Sequence, residues 1–130
     1  MAIADGGGVP VAVGTTSASP NESTLVALTL DRRHIGALPE RMIGDKAYDS
    51  DPLDDRLRQR GIEMIAPNRQ KRRKPQDGKL LRRYRHRWRI ERLFASLKNF
   101  RRVYCRWERH ADIFPGMVQL GCMLIQLRRL

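Results

Sequence analysis

Residues 41–68, RMIGDKAYDSDPLDDRLRQRGIEMIAPN, change character twice within one short run. Met42-Ile43 is a brief apolar pair that ends at Gly44-Asp45, the signature of a short buried strand followed by a turn. Asp51 is placed to cap a helix that begins at Pro52 and stops at Gly61, since proline suits the first turn of a helix and glycine its exit. Ile62 to Ala66 then supplies a second strand. Strand, helix and strand make a βαβ unit, whose crossover is expected to be right-handed with its strands parallel. This predicts an α/β chain. Ligands of such sheets gather at the carboxyl ends of the strands, where Asp45 falls.

Upstream, MAIAD and VPVAVGTT are apolar runs joined by Gly6-Gly7-Gly8, a pattern for a tight β-hairpin. A strand and not a helix follows these glycines, so turn chemistry explains them better than a phosphate-cradling loop. SASPNESTLVALTLDRR supplies a helix with Pro20 near its first turn, Glu22 near the positive end of its dipole, and Leu25, Leu28 and Leu30 available for packing. Downstream, residues 68–79 (NRQKRRKPQDGK) lack apolar periodicity and form a basic loop. A helix is expected from about Leu80 to Phe100, then the basic segment RRVYCRWERH, then a buried apolar helix from near Asp112. That last apolar stretch, Ile113 to Leu127, is interrupted by Pro115, Gln119 and Gln126 and is too short to span a bilayer.

The whole chain has 130 residues, enough for one domain with its own core. Its 26 lysines and arginines against 14 acids give +12, a balance that favours nucleic acid or another polyanion as partner. The charge is segregated: from Arg56 to Arg109 there are 20 basic and 4 acidic residues, net +16, which leaves −4 for the remainder. Cys105 and Cys122 have neither metal-ligand spacing nor the density of a disulfide scaffold, and a reducing cytoplasm fits them.

The basic stretch RRYRHRWRIERLFASLK, residues 82–98, holds a single acid, Glu91. On a continuous α-helix, Tyr84 and Glu91 lie about 20° apart around the axis, Lys98 returns to the same stripe, and Arg87 falls beside them. Ile90, Leu93, Phe94 and Leu97 lie to one side and can anchor the helix against a sheet. The plain reading of Glu91 is an i,i+4 pair with Arg87. The other is that the arginines hold a polyanion and the glutamate holds a metal ion that acts on it.

The ordered set Tyr84, Arg87, Glu91 and Lys98, with no gap in its spacing, resembles the Tyr-x2-Arg-x3-Glu-x6-Lys signature of insertion-sequence transposases of the DDE type. IGDKAYDSD resembles the segment that carries the second catalytic aspartate of that family, at Asp45, and DGGGVPVAVGTTSASPNESTL resembles its hairpin and following helix. The resemblance covers almost the whole chain. It implies an RNase H-like catalytic core, a mixed sheet flanked by helices, with residues 1–130 forming the carboxyl-terminal portion of the catalytic domain and no separate DNA-recognition domain. It also implies Mg²⁺ or Mn²⁺ held by Asp45 and Glu91, DNA (element ends and target) as substrate, strand cleavage and strand transfer as the reaction, paired subunits, and a cytoplasmic, nucleoid-associated location in a bacterium. The family's first aspartate lies on a strand upstream of the hairpin, for which an upstream-frame product is one source, and Asp5 is read as a turn residue.

Tyr84, Arg87 and Lys98 are the candidate phosphate contacts, with Lys46 beside Asp45 and Arg72, Arg73 and Lys74 of the basic loop as further DNA contacts. Lys46 and Tyr48 have plainer roles as loop lysine and packed tyrosine; Trp88 and Trp107, among arginines, are candidates to stack on bases, with core anchoring or arginine stacking as their plainer roles. Two alternatives stand beside the catalytic reading. One is a basic nucleic-acid-binding remnant of a transposase without catalysis. The other is a small RNA-binding structural protein.

Overall fold

The computed structural model describes residues 1–17, 19–70, 75, 78–107 and 109–129. Strands β1 (Ala2–Ala4) and β2 (Pro10–Val13) form the expected antiparallel hairpin, with Ala2 opposite Val13 and Ile3 opposite Ala12. Asp5 closes its turn: Oδ1 accepts from the backbone N–H of both Gly7 and Val9 at 2.8 Å. Gly8 takes φ +79 there, a left-handed conformation that glycine adopts without steric cost.

Helix α1 (Glu22–Asp31) follows, with Asn21 Oδ1 accepting from Ser23 N–H as its cap. Its packing face differs from the expected leucine set: Val26 and Leu30 are buried, Leu25 is half-buried, and Leu28 is exposed. Leu28 lies about 200° from Val26, on the far side of the helix.

Strands β3 (Arg41–Ile43) and β4 (Glu63–Ile65) pair in parallel, Met42 opposite Met64, with α2 (Asp51–Arg58) as the crossover. Asp51 is the first helical residue and not the cap; Ser50 holds the cap position without a side-chain bond, a shift of one residue of the kind that helix ends commonly show. Arg41 Nε donates to Glu63 Oε2 at 2.9 Å across the pair and fixes its register from the exposed side.

The two pairs remain separate two-stranded sheets, where one mixed sheet was expected, because no ladder of hydrogen bonds joins them among the described residues. They share a core nonetheless. Side chains alternate across a strand, so Ile3 of β1 faces a cluster of Val26, Leu30, Leu53, Leu57 and Ile62, against which Met42 and Met64 also pack. Ala2 and Ala4 face the opposite way, into a second cluster of Val13, Leu93, Leu97, Val118, Cys122 and Ile125. A half-buried strand set between two cores needs apolar residues on both faces, which accounts for MAIA.

The long basic helix is divided into α3 (Gly78–Arg83), a 3₁₀ turn (Tyr84–Arg87) and α4 (Trp88–Lys98). No proline or glycine marks the break; all four residues of the turn are polar or aromatic, and the turn rests against β3. Leu93 and Leu97 bury α4 against β1 and the last helix, while Ile90 is half-buried and Phe94 is exposed, 42%, in contrast to the anchor role expected of it. The basic segment after α4 contains a short helix, α5 (Arg101–Tyr104).

Helix α6 (Ile113–Leu127) begins after Asp112, as expected, but only one face of it is buried. It approaches α4 closely at Gly121, where a Cβ would lie 3.1 Å from Leu97 Cδ2 and 3.3 Å from Phe100 Cδ2. No helix among the described residues is long and apolar enough to cross a membrane.

Candidate active site at the end of β3

The β3–β4 ladder extends one bond past the strand, Gly44 N–H donating to Ile65 C=O at 3.0 Å, so Asp45 stands directly beyond the last paired residue. There its Oδ1 accepts from Ala47 N–H at 2.8 Å and caps a 3₁₀ turn, Lys46–Tyr48. Gly44 gives this turn its tightness. A Cβ at that position would sit 2.7 Å from Tyr48 Cδ2, inside the ring's van der Waals surface.

Tyr48 folds back over Gly44 onto the core cluster of α1 and α2. Its hydroxyl pKa is pushed up to about 12, first by burial, then by the negative charges of Glu22 and Asp45 and the hydrogen bond with Glu22. The packed-tyrosine reading of Tyr48 therefore holds. Lys46 is exposed on the outside of the turn.

Two residues that the sequence did not single out hold this turn. Asp49 is buried, and its Oδ2 accepts from Arg69 N–H at 2.8 Å. The Arg69 guanidinium donates to Lys46 C=O at 3.1 Å and to Ala47 C=O at 2.7 Å. Arg69 thus ties the segment after β4 to the segment after β3. Neither residue carries a local signal: Asp49 is one of several acids in its segment, Arg69 one cation at the edge of a basic loop, and the partners are 20 residues apart.

β3 packs against the Tyr84–Arg87 turn, which brings the strand that leads to Asp45 beside the start of the signature helix. Within the 3₁₀ turn, residues three apart eclipse each other, and the Arg87 guanidinium accordingly lies over the Tyr84 ring, 5.3 Å from its centroid. Each 3₁₀ residue advances about 120° where an α-helical one advances about 100°, so four of them displace Tyr84 by about 80° from the stripe of a continuous helix. Arg87 and Glu91 stay adjacent, with Nη2 3.1 Å from Oε1. This is the i,i+4 pair of the plain reading. Lys98 lies two turns further along α4 on the face of Glu91 and is exposed.

Of the other candidates, Arg72, Arg73 and Lys74 lie outside the described residues. Trp88 is half exposed, with the Arg89 guanidinium 5.8 Å from its ring centroid. Arg89 also donates to the carbonyl of Gly6, which fastens the start of α4 to the hairpin turn.

A family model described as the transposase DDE domain matches residues 1–125. The chain belongs to the DDE transposase family. It is also 35% identical, over 131 aligned positions, to a Burkholderia cepacia protein assigned by name to insertion sequence element IS402 as its transposase. The alignment takes in 95% of this chain and 59% of that relative, so the chain spans a little over half of the relative's length. No solved structure matches it.

For a DDE domain the test of the site is whether its side chains suit a divalent cation. Asp45 and Glu91 are oxygen donors of the kind that hard cations take, and a carboxylate that accepts one N–H retains lone pairs for a metal. The Arg87–Glu91 pair is exposed, 46% and 60% for the two side chains, and exposed pairs contribute only about 0–1 kcal/mol. A cation would displace Arg87 at little cost. Among the described residues no group of three or more His, Cys, Asp or Glu side chains is gathered as for a metal. Asp45, in the turn beyond β3, and Glu91, on α4, each offer carboxylate oxygens of the type a divalent cation takes.

Proposed function

We propose that this chain forms the carboxyl-terminal portion of the catalytic domain of a DNA transposase, an RNase H-like core in which Asp45 and Glu91 are catalytic carboxylates and metal ligands. The observation that carries this reading is the packing of β3 on the Tyr84–Arg87 turn, with Asp45 directly beyond the strand and Glu91 one helical turn beyond Arg87. A first carboxylate from an upstream strand completes the set, whether from the same polypeptide or from an upstream-frame product.

The reaction is phosphoryl transfer on DNA. Water attacks a backbone phosphorus at the element's end, the P–O3′ bond breaks, and the departing oxygen takes a proton to become a 3′-hydroxyl. That hydroxyl then attacks a phosphodiester of the target, and the target's own 3′-oxygen leaves. Asp45 and Glu91 would hold Mg²⁺ or Mn²⁺, which when bound would supply charge neutralisation and alignment for the phosphoryl transfer. Arg87, freed from Glu91, and Lys98 hold phosphates near the cut. Tyr84 supports Arg87 through its ring, Arg69 holds the Asp45 turn in shape, and Lys46, Arg72, Arg73 and Lys74 grip the flanking backbone without reading its sequence. The setting is bacterial DNA in the cytoplasm, with paired subunits.

A second reading is a basic DNA-binding module that does not cut, for which the exposed cations Lys46, Arg87 and Lys98 suffice. Asp45→Asn and Glu91→Gln, each made in the full-length transposase, separate the two. Cleavage of an end-bearing duplex should fall by on the order of 10⁴-fold in each variant, the scale of losing one member of a catalytic unit, while duplex binding persists. Cleavage that survives both changes would overturn the catalytic assignment.

A further inference from the structure

The two most exposed large hydrophobic residues among the described ones are both aromatic and stand close together in the chain, Tyr104 at 68% and Trp107 at 72%. Their segment, RRVYCRWERH (residues 101–110), holds four arginines, Arg101, Arg102, Arg106 and Arg109, against one acid, and all four arginines are exposed. α5 packs on α4, so the segment adjoins the end of the helix that carries Lys98. Val103 turns the inner side of α5 to the core, and Tyr104, about 100° further round the axis, stands outside. The chain leaves α5 extended at Cys105; the Arg106 guanidinium then folds back over the Phe114 ring, 5.7 Å from its centroid, while Trp107 stays in solvent.

The charge around the two rings indicates which partner covers them. Large aromatic side chains in water favour burial, and whatever buries these must also accept the guanidinium charges beside them. An aliphatic protein surface would strip those charges of water and return no counter-charge. An acidic peptide would meet the arginines yet offer nothing to two ring faces. A nucleic-acid strand meets both, with phosphates for the arginines and planar bases for the rings. In a duplex the bases stack on one another and present only their edges in the grooves, so a ring face finds a base face only where the strand is unpaired. The chain between the two rings spans at most about 10 Å, which keeps them within reach of neighbouring bases of one strand.

We propose that Tyr104 and Trp107 form a stacking platform for the unpaired bases of single-stranded DNA, with Arg101 and Arg109 on the phosphates of the same strand. The platform rests on the reading of this chain as a DNA-binding protein. It adds to that reading a class of strand, and a contact with base faces that cations gripping the backbone do not make. Neither Asp45 nor Glu91 takes part.

Fluorescence anisotropy of the full chain with a labelled oligothymidylate and with a labelled duplex tests it. Tyr104→Ala and Trp107→Ala should each weaken single-strand binding by about 5- to 150-fold, the range for losing one stacked base, and leave duplex affinity within about two-fold. Tyr104→Phe and Trp107→Phe keep an aromatic ring and should bind the oligothymidylate nearly as the wild type does. Both side chains are exposed, so the core stays intact, and a circular dichroism spectrum confirms the fold. A second readout uses the two tryptophans of the chain: Trp88→Phe leaves Trp107 as the source of indole emission, which the oligothymidylate should quench. Alanine variants that bind the single strand as the wild type does overturn the proposal. So do variants that weaken duplex and single strand alike, or an emission from the Trp88→Phe chain that the oligothymidylate leaves unchanged. A wild-type chain that binds the duplex and not the oligothymidylate overturns this proposal alone, and one that binds neither overturns the DNA-binding reading with it.

Discussion

Burial of Tyr48 beside Glu22 has a measurable consequence in alkali. In the unfolded chain the phenol loses its proton near its ordinary pKa of 10.0, whereas in the folded chain it keeps it up to about 12. Between these values the native state binds one more proton than the unfolded state, so stability falls as pH rises through the window; the contribution is fully present below pH 10 and lost toward 12. Tyr48→Phe removes the titrating group. Its melting temperature should be lower than that of the wild type at pH 8, because the bond to Glu22 is gone, and should decline less steeply above pH 10. Parallel declines of the two proteins would show that Tyr48 does not titrate across that window. The same residue explains Gly44: a ring folded back over the backbone leaves no room for a Cβ, so the turn that presents Asp45 depends on a glycine and a tyrosine together.

At the scale of elements, the contrast between Leu57 and Leu28 shows where periodicity guides and where it misleads. Both are leucines on helices that pack on the same core, yet Leu57 is 1% exposed and Leu28 59%. Leu57→Ala should cost about 2–5 kcal/mol in denaturant unfolding, since it leaves a cavity between α2, α1 and the strands, whereas Leu28→Ala should change stability by no more than about 0.5 kcal/mol. Equal effects would mean that α1 does not pack through Val26 and Leu30. The hairpin and the βαβ unit were legible in the sequence because their determinants are local: Asp5 and Gly8 in the turn, Pro52 inside the first turn of α2, apolar pairs in the strands. The break at Tyr84–Arg87 was not legible, since no proline or glycine marks it and contact with β3 accompanies it. The position of Asp45 at a strand end and the Arg87–Glu91 pair could be read from spacing alone. The Arg69 clamp could not, because its bonds join segments whose proximity only the folded chain establishes.

Across the whole molecule the dominant feature is segregation of charge, with +16 between Arg56 and Arg109 and −4 elsewhere. Within that basic span, arginines are already used structurally: Arg60 binds Asp31 at 2.7 Å, Arg69 holds the Asp45 turn and Arg89 holds the hairpin. The acidic remainder includes Glu22, which binds Tyr48, and Asp31, so part of the negative charge is committed to packing. A net surplus is left over, and if the chain grips DNA as proposed, that surplus acts through release of counterions. If 6 to 10 phosphates are neutralised, affinity for a duplex should fall by about 10³–10⁵-fold between 50 and 200 mM salt. Replacing Arg72, Arg73 and Lys74 together by alanine should reduce the slope of log affinity against log salt by roughly 3, one for each phosphate that is no longer neutralised, and should weaken binding almost equally for unrelated sequences. Fluorescence anisotropy with two duplexes of different sequence measures both quantities. A slope unchanged by the triple substitution would place the DNA path away from residues 68–79, and weakening confined to one duplex would mean that these cations read bases and not the backbone.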